Sequence, residues 1–173
     1  MSVRATALAL VFAGLVWASP GSAFELPVQK LELVDNLRQT AERGDGERFA
    51  RYLGLLKGET SAVEQTFHVS IPAAPQGGAL PEVAGALIAG WAFLMTDTLA
   101  ASPDAPETAW RVVSLLLLKD KEWMLQADPK LFNQFQRSVS ELRVLSDESA
   151  RAAIRADLQK RVGELVAKSL KSQ

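Results

Sequence analysis

Between Val83 and Met95 the chain reads VAGALIAGWAFLM, 13 residues without a charged or strongly polar side chain. A stretch this apolar has to be taken out of water, and that requirement constrains the fold more than any other feature. As a helix its length is roughly 20 Å at 1.5 Å per residue, short of the roughly 30 Å hydrocarbon core of a bilayer. Glu82 precedes it and Thr96-Asp97-Thr98 follows, with no basic anchors to mark a membrane boundary. A helix that is apolar on every side is a buried helix in a folded domain. The expectation is a central core helix, with the wall of a hydrophobic ligand cavity and membrane contact as alternatives.

The small residues in the run support close packing. Gly85 with Ala89 and Ala86 with Gly90 sit four apart and let neighbouring elements approach, while Leu87, Trp91 and Leu94 fill the opposite side. A glycine inside a helix costs about 0.5–1 kcal/mol relative to alanine, so two of them point to a packing gain that offsets the loss. Gly85, Leu87, Gly90, Trp91 and Leu94 are therefore the candidate residues, either of a close-packed helix or of a hydrophobic ligand site.

The N-terminus reads MSVRATALALVFAGLVWASPGSA, with Arg4 as its only charge, an apolar run from Ala5 to Trp17, and small residues with Pro20 after it. This is the pattern of a secretory signal peptide. Cleavage is expected after Ala23, or alternatively after Ala18, which assigns 1–23 to the signal and 24–173 to one domain. The mature protein would be exported, to the periplasm in a Gram-negative host and to the medium otherwise, with no stable transmembrane segment left after cleavage.

Of 19 basic and 20 acidic residues the signal removes one base, Arg4, and no acid, leaving a formal charge of −2. Nucleic-acid binders concentrate positive charge to displace counterions from phosphates, and this near-neutral chain does not. It contains no cysteine. That excludes a disulfide framework, thiol catalysis, c-type haem attachment, thiolate metal sites and an N-terminal lipidated cysteine. The fold has to rest on its core, which a domain of this length can supply by burying about 68–70% of its unfolded-chain surface.

Beyond the signal, Leu and Ala greatly outnumber Val, Ile, Thr and Tyr, a composition that favours helices. The first helix is expected from Pro27 to Arg43, with Leu31, Val34, Leu37 and Ala41 on one face and Gly44 ending it. In ERFARYLGLLK, Phe49, Tyr52, Leu53 and Leu56 make the stripe of a second helix, which Gly58 would close. The stretch TSAVEQTFHVSI is ambiguous. Phe67, Val69 and Ile71 alternate as in a strand, yet Ser61 followed by Glu64 has the spacing of a helix capping box. A strand over 63–71 would need a partner, and 111–126 is the candidate. That second segment also reads as a helix opened at Pro106-Glu107 and broken near Lys119.

Asp128 before Pro129 signals a further helix start, with Phe132, Phe135, Val139 and Leu142 on one face. The short Leu145-Ser146-Asp147 loop then returns a last helix carrying Ile154, Leu158, Val162 and Leu165. The expected fold is mainly α, a single-domain bundle of about six helices ending in an antiparallel helix hairpin. The alternative is an α+β fold with a small sheet from 63–71 and 111–126.

Catalytic signatures are sparse. His68 is the single histidine and, between Phe67 and Val69, reads as a half-buried structural residue. No serine stands in a nucleophile-elbow context, and the Gly77-Gly78 pair lacks the lysine and Ser/Thr of a phosphate loop. The acids fall at helix starts and in i,i+4 pairs such as Asp157 with Arg161, where a solvated surface explains them. Trp91, Trp110 and Trp123 read as core residues rather than a ring-binding site. No cofactor and no metal ligand set is expected. The leading expectation is an exported accessory or inhibitory protein that binds a protein partner. The alternatives are a carrier of a hydrophobic small molecule or lipid beside Trp91, and a hydrolase using carboxylates.

Overall fold

The computed structural model describes residues 28–102 and 104–171. The expected signal segment 1–23 and the helix-opening Pro27 lie outside them. The described chain folds as α1 (Val28–Glu42), α2 (Gly46–Leu55), α3 (Lys57–Phe67), a 3-10 turn (Gly77–Ala79), α4 (Leu80–Ala100), α5 (Glu107–Lys119), α6 (Lys121–Ala127), α7 (Pro129–Val144) and α8 (Glu148–Lys171). No strand occurs among the described residues, so the protein is a mainly α bundle and the alternative sheet is not formed.

Eight helices form among the described residues where about six were expected, because Lys57–Phe67 is helical rather than a strand and a single residue, Asp120, sets α6 off from α5. Leu56 separates α2 from α3, and its N–H still bonds Tyr52 O at 3.0 Å, so the chain turns without leaving helical hydrogen bonding. Gly58, expected to end α2, lies inside α3. Asp120 separates α5 from α6 in the same way, close to the break expected at Lys119. The expected Ser61–Glu64 capping box does not form, since both residues lie within α3. The Glu64 carboxylate instead accepts the Ile71 N–H at 2.8 Å and pins the chain that leaves the helix.

Other boundaries follow local chemistry. Gly44, at φ 68°, occupies the left-handed position that ends α1 without a Cβ penalty. The side chains of Asp45 and Asp128 accept the N–H groups of Arg48 and Leu131 at the starts of α2 and α7. His68 is exposed, not half-buried as expected, and ends α3 in the left-handed region at φ 53°.

α4 is the axis of the molecule. α1, α3, α5, α7 and α8 all pack on it, α8 most extensively, and 16 of its 21 residues are buried. The helix outruns the 13-residue apolar core of its sequence because Leu80-Pro81-Glu82 and Thr96–Ala100 extend it at both ends. The length argument against spanning a bilayer therefore fails, since 21 residues give about 31 Å. Gly77–Ala100 is long and apolar enough to cross a membrane by length and composition, and 83% of its apolar window is buried inside the protein.

Candidate functional site

The five residues singled out on α4 lie in the protein interior or at its margin. Leu87 and Trp91 are buried, and Leu94 is half-buried. The two glycines admit side chains rather than a neighbouring backbone. A methyl group at Gly85 would overlap the indole of Trp123, and one at Gly90 would lie 2.7 Å from Val63 Cγ1 and 3.2 Å from the Phe67 ring. The same Phe67 ring sits against Gly163 of α8 and meets Phe93 edge to face, with centroids 5.5 Å apart. Phe67 thus wedges α3 between α4 and α8. Trp110 is buried, and Trp123 is half-buried over Gly85.

A different region presents a site. α1 and α5 each pack on α4 and leave between them a groove of about 120 Å³, floored by Ile88 and walled by Leu31, Val34, Val112, Leu115 and Leu116. Its polar residues are Asp35 and Arg38 from α1 and Lys119 and Asp120 from α5 and its end. None of the five residues expected on α4 lines this groove.

Asp35 ties the two walls together. Its Oδ1 accepts from Lys119 Nζ at 2.9 Å and from Arg38 Nη2 at 3.1 Å, and its Oδ2 accepts from Gln39 Nε2 at 3.2 Å. The Lys119 hydrogen bond, with help from Arg38 and against partial burial, holds the Asp35 carboxyl below its ordinary value. Arg38 donates its remaining terminal nitrogen to Glu42 at 2.6 Å, while its Nε–H is buried without an acceptor among the described residues.

Asp120 is the opposite case. It is only 9% exposed, and its carboxylate has no hydrogen-bond donor among the described residues. Backbone bonds hold it in place: its N–H donates to Leu116 O at 3.2 Å and its carbonyl accepts from Met124 N at 3.0 Å, which makes it the joint of α5 and α6. Burial pushes its carboxyl up to about 6 against the pull of the Arg38 guanidinium. Its oxygens are not among the fully buried side-chain atoms that lack a partner, which in the described residues are Arg38 Nε and Glu82 Oε2, so the carboxylate opens onto the groove that it lines. The pattern Lys119-Asp120-Lys121-Glu122 conceals it, because four successive polar residues read as a solvated turn.

On α4, Glu82 Oε2 is buried without a hydrogen-bond partner among the described residues. In the cleft between α7 and α8, Glu141 accepts from Arg137 at 2.7 Å, and Asp157 accepts from Arg161 at 2.9 Å and from Gln134 at 2.8 Å. Carboxylate hydrolysis needs one acid free to donate a proton and a second free to attack or to activate water. In the groove both oxygens of Asp35 are bonded, so Asp120 stands without a free second carboxylate. No group of three or more His, Cys, Asp or Glu that could hold a metal occurs among the described residues. Comparison with protein-family models, with curated proteins and with solved structures returned no match.

Proposed function

We propose that this is an exported accessory or inhibitory protein that acts by binding a protein partner, and that the partner docks on the face formed by α1 and α5. The observation that carries this reading is the groove together with the leucines beside it. Leu115 is 56% exposed and Leu118 is 52% exposed, three residues apart on α5. Large apolar side chains held in water next to an apolar groove mark surfaces that another molecule covers. An amphipathic segment inserting one or two side chains between two helices is a common recognition mode.

The volume of the groove favours a partner's side chains over an enclosed lipid. About 120 Å³ is less than the roughly 150 Å³ of a cavity that holds one benzene. Burial of 83% of the apolar window of α4 supports its role as core rather than as a span.

Two measurements test the reading. Intact-mass analysis of protein from the native host should show loss of the first 23 or 18 residues, whereas a full-length chain retained in the membrane would refute export. Crosslinking in the periplasmic or culture fraction should then capture proteins that Leu115→Asp/Leu118→Asp loses. Identical capture profiles for the two forms would remove the α1/α5 face as the interface.

A further inference from the structure

We propose that the α1/α5 groove seats a lysine side chain of the protein partner, its aliphatic stem against Leu31, Ile88 and Leu116 and its ammonium on the Asp120 carboxylate. The proposal deepens the partner-binding reading and rests on it.

Two independent observations meet at this place. One is the groove, whose apolar walls suit a short aliphatic chain. The other is Asp120, nine-tenths buried, lining the same groove, with no donor on its oxygens among the described residues. A carboxylate in that state is completed by a donor, and most strongly by a cation, because charge-assisted hydrogen bonds are about twice as strong as neutral ones.

The surrounding charges ask for a cation from outside. Lys119 is bonded to Asp35, and Arg38 gives its two terminal nitrogens to Asp35 and Glu42 while its Nε–H finds no acceptor among the described residues, so neither base donates to Asp120. Three acids, Asp35, Glu42 and Asp120, face two bases, Arg38 and Lys119, and one added ammonium balances the set. The open Asp120 carboxylate can take either an ammonium or the fork of a guanidinium, and the narrow groove of about 120 Å³ between the two helix walls suits the compact ammonium on its unbranched stem. A free amine would leave Leu115 and Leu118 in water, whereas a lysine on a protein surface brings the area that covers them.

The test uses n-butylammonium, which is the lysine side chain itself, and 1-butanol as its neutral counterpart, each titrated into the purified protein and followed by amide NMR shifts. The expected result is saturable binding of butylammonium with shifts confined to 31–38, 88 and 112–120, and at least fivefold weaker binding of butanol. Between pH 7.5 and pH 5 the affinity for butylammonium should fall about tenfold as the Asp120 carboxylate takes up a proton. Asp35, Glu42, Arg38 and Lys119 are the charged neighbours in that titration. Asp120→Asn should abolish both the preference for the cation and its pH dependence. If this variant does not fold, the pH series on the unmodified protein decides alone.

Equal binding of the two probes, no saturation by either, or a pH-independent preference would overturn the lysine seat and leave the interface reading standing on the Leu115/Leu118 result. Butylammonium binding as expected, combined with partner capture that survives acetylation of the partner's lysines, would overturn the assignment of the cation to the partner. Loss of capture on acetylation supports it.

Discussion

α4 meets two kinds of surroundings on its two sides, and they differ in how the same apolar helix is covered. Toward α3 and α8, Gly90 is a notch into which Val63 and Phe67 fit, and the Phe67 ring reaches on to Gly163. Every partner at these notches is apolar and in contact, and α8 makes polar contacts with α4 near the C-terminal end of α4, at Asp97 and Ala100. Toward α1 and α5, Ile88 floors a groove that the two walls do not close, and a buried carboxylate stands at its polar end without a donor. The first side is what a stable core requires, since interiors are packed like organic crystals. The second side leaves a largely buried carboxylate without a donor among the described residues, at a cost in stability.

The contrast breaks most visibly at Trp91. If the indole is held by core packing, Trp91→Ala should lower unfolding free energy by about 3–5 kcal/mol, the range for emptying a large aromatic site. Denaturant melts check this, and a loss below about 1 kcal/mol would mean that the interior side is not packed as described.

On the groove side the expected change has the opposite sign. Asp120 has a carboxyl raised to about 6 in the folded protein, against about 3.9 unfolded. The native state therefore binds the proton more tightly. The stability linked to Asp120 is fully present below pH 4 and is lost as pH rises through 6. Asp120→Asn should accordingly gain on the order of 2–3 kcal/mol over the unmodified protein at pH 7.5 and nothing at pH 3.5. Asp35 has its carboxyl lowered and follows the reverse dependence, but it is common to both forms and cancels in the difference. Stability curves of the two proteins that run parallel from pH 3.5 to 7.5 would remove the buried charge from the account.

Gly90→Leu sharpens the comparison from the packed side. The added side chain meets Val63 and Phe67 at once, and overpacking of this kind costs about 1–3 kcal/mol. An unchanged thermal midpoint would place open space where the structure has Phe67. The smallest effect belongs to the groove's outer edge, where Leu115→Asp should move stability by no more than about 0.5 kcal/mol, as surface changes do. A larger loss would mean that Leu115 is covered within the monomer.

The two sides also differ in how far the sequence reveals them. The packed side is legible because its cause is local. Val83–Met95 is apolar on every face of a helix, and the capping residues Asp45 and Asp128 and the C-terminal Gly44 announce their boundaries in the chain itself. The antiparallel α7–α8 hairpin follows from the brevity of its connecting loop. What fills the notches at Gly85 and Gly90 is not legible, since Trp123 and Val63 arrive there from separate helices.

The groove is hidden for the same reason. Asp35 and Arg38 read as an ordinary i,i+3 surface pair, and Asp120 reads as one polar residue of four in a turn. Their meeting depends on α1 and α5 lying side by side on α4, which no periodicity in either helix encodes. A polar residue at a one-residue helix joint, two places after Leu115-Leu116-Leu117-Leu118, is the one signal that could have drawn attention to it.

Arg151 carries a consequence for how the molecule opens. From the first turn of α8 its guanidinium donates to Ala100 O at the end of α4, and to Leu142 O at 2.6 Å and Leu145 O at 2.8 Å at the end of α7. Helix C-termini leave carbonyls without intrahelical partners and fray one at a time when water alone satisfies them. Here one side chain serves two such ends, so neither can loosen without releasing the other. The ends of α4 and α7 and the start of α8 form a single opening unit, whose slowly exchanging amides should share one rate although they lie some 50 residues apart in the chain.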